Sequence, residues 1–312
     1  MYEVVLAVSA GIGAVVLSMY PLVGVMQTIY SASRARTANG NIIASTQLKD
    51  LLNKDMHTTV YQLQQHGYTF IEPDMNLDTM HAHIRQQHIT QIQRIISALP
   101  KAKRLFFSIL TERFDLDVII GFLHANTSPF RAIYNTKHFG TSRIDLHDDS
   151  TSPQTVTYIR HSPYAEYFST AIEAMQKGKP IDEVKIWDNY YEKLFLSTKH
   201  PLLRQYVKLL INFENLHRVR VGKPLLKRGT LDLQKFGKSP IVSEWGTIDT
   251  KTNITLLQRK ATLTFAKEIS LKEPLSEVQV LSHIIKKSQE LSNIRVTCTA
   301  VATKANLQEA IV

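Results

Sequence analysis

The side chains best suited by type to do chemistry are a histidine cluster and one thiol. The stretch HAHIRQQH (81–88) carries His81, His83 and His88. His81 and His88 are seven apart and share a helix face, but His83 falls on another, and no carboxylate stands where it would complete a metal-ligand set. Cys298 is the only cysteine, which excludes an internal disulfide and a cysteine-rich metal site and suits a reducing compartment. No local base activates it, and no Gly-x-Ser-x-Gly elbow is present. GIG (11–13) lacks the third glycine of a dinucleotide fingerprint, and GKP (222–224) and GKSP (237–240) lack the upstream glycine of a phosphate loop. The residues therefore point to no catalytic group, no metal, no cofactor and no small-molecule substrate.

What recurs is a polar pattern. The chain writes Glu112-x-x-Asp115-Leu116, then Asn212-x-x-Asn215-Leu216, then Glu290-x-x-Asn293-Ile294 followed by Arg295. Around the first two copies the match extends further. Tyr206, Leu209, Leu210, Asn215 and Leu216 lie 100 positions after Phe106, Ile109, Leu110, Asp115 and Leu116, and both segments open at a proline, Pro100 and Pro201. The third copy opens near Pro274 and is degraded, with Lys287 and Ser288 where the others have an apolar pair. A polar residue beside an apolar one can bond backbone groups where a helix is interrupted or capped, while its neighbour enters the core. The expected role is structural.

The elements that must position these residues read as helices. Ala102, Leu105, Phe106, Ile109 and Leu110 make a core-facing stripe after Pro100. STQLKDLLNK, TTVYQLQQHG and residues 77–98 give three earlier helices, the second stopped by Gly67. NTSP (126–129), HDDSTSP (147–153) and the stretch 221–240 read as linkers, with PQTVTYI as a short strand-like piece. With 12 glycines and 11 prolines in 312 residues, the fold class expected is all-α.

The N-terminus is uncharged from Val4 to Ser33, and Val4 to Met26 is long enough for a ~30 Å hydrocarbon core. Ser9, Ala10, Gly11, Gly13 and Ala14 would allow close helix packing. The first basic residues, Arg34 and Arg36, follow the apolar run. The expectation is a transmembrane helix with the N-terminus across the membrane and the body on the cytoplasmic face. The net charge of +10 is scattered, the densest cluster being KAKR (101–104), and no nucleic-acid motif accompanies it, so no nucleic-acid partner is expected.

At the C-terminus, EPLSEVQVLSHIIKKSQELSNIRVTC resembles the end of the V-type and A-type ATPase rotor subunit family, called d in eukaryotic complexes and C in archaeal and bacterial ones. Glu290, Asn293, Ile294, Arg295 and Val296 carry that resemblance. KIWDNYYEKLF (185–195) is similar to the family's Asp-x-x-Tyr-Tyr helix start through Asp188 and Tyr191. IYSASRARTANGNIIASTQLKDLL is similar to its opening element through Tyr30 and Arg34 or Arg36. Asn212 departs from the family's acidic residue, and the apolar extension before Tyr30 is foreign to it. The resemblance implies three pseudo-repeated helical subdomains forming a funnel-like, non-catalytic adaptor. It would couple the central stalk to the proteolipid ring during proton or sodium transport. The units expected are a membrane segment at 1–29 and subdomains at 30–130, 131–230 and 231–312. A membrane-anchored basic scaffold of an unrelated complex is the other reading the residues allow.

Overall fold

The computed structural model describes residues 23–69, 71–72, 74, 76–124, 152–177, 181–227, 253–305 and 307–312. Among these there is no strand. Helix α1 covers residues 23–39. It is followed by α2 (Ser45–Leu51), α3 (Met56–Gln65), α4 (Leu77–Ser97), α5 (Lys101–His124), α6 (Ser152–His161) and α7 (Ala165–Gln176). Then come α8 (Glu183–Leu196), α9 (Pro201–Arg220), α10 (Ile254–Lys272), α11 (Val278–Thr303) and a terminal 3-10 turn, Gln308–Ala310. Local chemistry sets several of the ends. Asp55, Asn76, Asp182 and Asn253 cap α3, α4, α8 and α10 through their side-chain oxygens. Gly67 takes φ +86° after α3, a conformation that side chains disfavour. The piece read as strand-like, 153–159, is helical and lies in α6, where Val156 and Ile159 are buried three apart as helical spacing requires.

The buried apolar residues form two clusters. The larger joins α1 and the end of α4 with α5 to α10 and the first two turns of α11. The smaller joins α2, α3 and the start of α4 with Leu291, Ile294 and Cys298 of α11. Helices α4 and α11 therefore serve both cores. At 26 residues α11 is about 39 Å long. Neighbours on several sides bury most of it, which explains why its apolar positions do not make one stripe.

The N-terminal reading requires correction. No helix among the described residues is long and apolar enough to cross a membrane. Helix α1 runs unbroken through the expected boundary at 29/30. One face, Ser31, Ala32 and Ala35, is buried on the body, and Ser31 Oγ donates to the Ala98 carbonyl at 2.8 Å. Small side chains here bring α1 close to protein, so this helix is part of the fold. The larger part of the apolar run, residues 4–22, lies outside the described residues. The fold is all-α without a membrane-spanning helix among the described residues, and the placement of the N-terminus across a membrane is withdrawn.

Candidate functional site: the repeat positions and the cavity between them

In the first copy both carboxylates are buried on α5 and each meets a tyrosine. Glu112 Oε2 accepts from Tyr167 Oη at 2.5 Å, and Asp115 accepts from Tyr164 Oη. The two acids are three apart, and so are the two tyrosines, so adjacent antiparallel turns match one to one. Burial, and then the bond to Glu112, pushes the Tyr167 hydroxyl far above its ordinary range and keeps it a donor.

In the second copy the partner is backbone. Asn215 Oδ1 accepts from Leu226 N at 2.8 Å and its Nδ2 donates to Leu226 O at 3.3 Å. The third copy repeats this geometry. Asn293 Oδ1 accepts from Val312 N at 3.2 Å and its Nδ2 donates to Val312 O at 2.7 Å. Asn215 and Asn293 thus hold the chain that follows their own helices, while Asp115 holds Tyr164 at the start of α7. Leu116, Leu216 and Ile294 beside them are buried. Helices α9 and α11 pass unbroken through Asn215 and Asn293, so these residues tether returning chain and do not mend a helix interruption. Asn212 is half-buried on α9 and Arg295 is exposed.

The polar residues that degrade the third copy have partners of their own. Lys287 is buried and pairs with Glu290 Oε2, and Glu290 Oε1 accepts from Ile43 N at 2.9 Å. The Lys287 ammonium lies 5.0 Å from the Tyr68 ring centroid. Burial, and then the Glu290 charge, pushes the Tyr68 hydroxyl far up. Ser288 Oγ stands 3.5 Å from His88 Nε2. In α11 Lys287 and Glu290 meet Tyr68 and the chain before α2, and Ser288 meets His88 of α4.

Corresponding positions of the three repeat helices converge on a cavity of about 220 Å³. Leu110, Leu210 and Ser288 are equivalent by the sequence offsets, and all three line it. Three further equivalent pairs, Thr111 with Gln289, Phe114 with Ser292 and Tyr206 with Ile284, do so as well. Helix α10 closes one side with Arg259, which donates to Gln289 Oε1 at 3.1 Å, to the Ala310 carbonyl at 2.8 Å and to Asn293 Oδ1. Arg113 of α5, also in the lining, lies 3.9 Å from Glu214 of α9. Both arginines bridge helices or returning chain, and of the lining hydroxyls Ser288 is the one that faces a histidine, His88, which does not itself line the cavity.

The histidines of HAHIRQQH separate. His88 is buried against α11 while His81 and His83 are half-buried, and no group of three His, Cys, Asp or Glu among the described residues could hold a metal. Burial lowers the His88 pKa well below its ordinary value, assisted by Lys287, His283 and Arg85. His283, bonded through Nδ1 to Asn39 Oδ1 at 2.9 Å, is lowered to about 4 by burial and then by Lys287 and Lys286. Burial raises the Cys298 thiol to about 12, which keeps it protonated and inert.

Sequence reasoning missed the partners more than the positions. Tyr164-x-x-Tyr167 carries a usable signal, because its spacing equals that of Glu112-x-x-Asp115. Leu226, Val312 and Ile43 engage through backbone atoms, and no side-chain pattern marks them. Asp188, singled out within KIWDNYYEKLF, accepts from Lys227 N at 2.9 Å, and Tyr191 of the same stretch is buried.

The described body is all-α, and its recurring polar residues tether chain around a cavity shared by the three repeat helices. The chain belongs to the family described as ATP synthase (C/AC39) subunit, whose family model matches residues 32–222. It is thus a non-catalytic rotor or adaptor subunit of a V/A-type ATPase. The match runs from α1 to the end of α9 and includes the first two copies of the repeat. No curated protein matches the chain.

Proposed function

We propose that this chain seats the central stalk of a rotary ATPase on the proteolipid ring and carries torque between them as protons or sodium ions move. One observation supports this above the others: equivalent faces of three repeat helices meet around one cavity. Such an arrangement gives a rigid hub about which three similar units, 30–130, 131–230 and 231–312, can surround a partner. Rigidity matters because a compliant adaptor would store rotation as strain. The polar tethers serve it, Asn215 and Asn293 fixing their helices to the chain that follows and Asp115 fixing α5 to the start of α7.

Purification of the tagged chain from its native cells in mild detergent tests this reading. Ring and stalk subunits are expected in fixed ratio to the tagged chain. Recovery of the chain with neither would overturn the proposal.

A further inference from the structure

A second surface stands apart from the cavity between the repeats. Helix α11 begins where Lys103 pairs with Glu277 at 2.7 Å, beside the starts of α5 and α9. About 39 Å away, at its other end, an open groove of about 780 Å³ lies between α11 and the α2–α3 turn. Leu52, Met56 and Val301 give it an apolar, half-buried floor. Lys49, Lys54 and Lys304 stand around that floor, and none pairs with a carboxylate among the described residues. The one carboxylate lining the groove is already committed. Asp55 caps α3, its Oδ1 accepting from Thr58 N at 2.8 Å and its Oδ2 from Thr58 Oγ1 at 2.9 Å.

We propose that this groove docks an acidic amphipathic helical segment of a protein partner, its apolar side chains on the floor and its carboxylates against the three lysines. The half-buried Lys103 and Lys193 and the exposed Lys223 meet Glu277, Glu166 and Glu183, whereas exposed lysines such as Lys185, Lys208 and Lys260 have no ion pair among the described residues, so what sets the groove apart is the grouping of three lysines around one apolar floor. Three unmatched lysines around one apolar depression leave a complementary charge to be supplied from outside. A small inorganic anion would make no use of the floor. A nucleic acid would need a longer basic track and stacking rings, and neither lines the groove. The volume accepts a few side chains, which fits one helical face and not a whole domain. This surface goes beyond the stalk-and-ring reading and stands on the groove alone.

The test uses the full chain and a fluorescent amphipathic peptide of about 16 residues with Glu on one face and Leu on the other, a length at which a helix is marginally stable. Its counterpart with Lys in place of Glu is the charge control. Binding is read by anisotropy at about 0.05 M and about 0.5 M salt, which bracket strong and weak screening. Two triple variants are compared, Lys49→Glu/Lys54→Glu/Lys304→Glu in the groove and Lys185→Glu/Lys208→Glu/Lys260→Glu on exposed helix faces elsewhere. Both remove the same charge. The proposal expects the acidic peptide to bind and the basic one not. The groove variant should lose about tenfold in affinity, three surface charges' worth, while the other triple changes little. An equal loss in both triples, or no binding of the acidic peptide to the parent, overturns it. Thermal melting shows whether the groove variant is folded. If it is not, a bulky Val301→Trp substitution in the floor must block binding, and unchanged binding there also overturns the proposal. Recovery of ring and stalk subunits with the groove variant is scored separately, so failure of the groove is distinguishable from failure of the adaptor reading.

Discussion

Glu290 and Ile43 are 247 residues apart, and the carboxylate of one accepts the backbone N–H of the other at 2.9 Å in the interior. That bond fixes the chain entering α2 to the middle of α11. The other carboxylate oxygen pairs with Lys287, one turn earlier on the same helix. Deep in the protein such a pair is held by desolvation as much as by attraction, since neither charge can remain alone at low cost.

Breaking the pair from one side is therefore expected to be worse than removing it. Glu290→Gln keeps an acceptor for Ile43 but leaves the Lys287 cation buried and unpaired, a loss of about 3–5 kcal/mol. Lys287→Met combined with Glu290→Gln is expected to recover most of it. Chemical denaturation of the two variants checks the order. A double variant as unstable as the single one would show that the charge pair is not the cause.

Asn215→Leu and Asn293→Leu each remove both bonds to a returning backbone segment and leave its N–H and C=O unmatched. Each is expected to cost about 1–3 kcal/mol, with the larger loss at Asn293, where Arg259 and Gln289 also lose their acceptor. Hydrogen exchange of the Leu226 and Val312 amides is expected to speed up in the respective variants. Unchanged exchange would mean that the segments are held by something else.

Tyr164→Phe and Tyr167→Phe leave the rings in place and take one donor each from Asp115 and Glu112. A loss of about 1.5–3 kcal/mol per bond to a charged group is expected. Denaturant midpoints of the single and double variants check it. Because the acids lie on adjacent turns, the two losses are expected to be non-additive.

Stability is expected to fall on mild acidification. His283 has its folded pKa lowered to about 4, so the unfolded chain binds a proton there before the folded one does. Its contribution is fully present above the ordinary histidine value near ~6.5 and is lost as pH falls toward about 4, at up to about 1.4 kcal/mol per pH unit. His88 is shifted in the same direction. In His283→Gln the melting temperature is expected to depend less on pH across that window. An unaltered slope would assign the acid sensitivity to other groups.

The sequence by itself determined the all-helical class, because Pro100 and Pro201 start helices whose apolar residues recur with the helical period. It also marked Glu112, Asp115, Asn215, Glu290 and Asn293, because one polar pattern recurring after similar helices is visible in one dimension. It did not determine where α1 lies. An uncharged run reads alike whether it meets lipid or protein, and only the packing of Ser31, Ala32 and Ala35 on the body decides it for residues 23–39. Nor could it explain why the third repeat is polar. Lys287 and Ser288 look like a damaged stripe until Glu290, Tyr68 and His88 are seen to close around them. Periodicity records which face of a helix is buried. It does not record what buries it, and an α11 enclosed on several sides by distant chain has no single face to show.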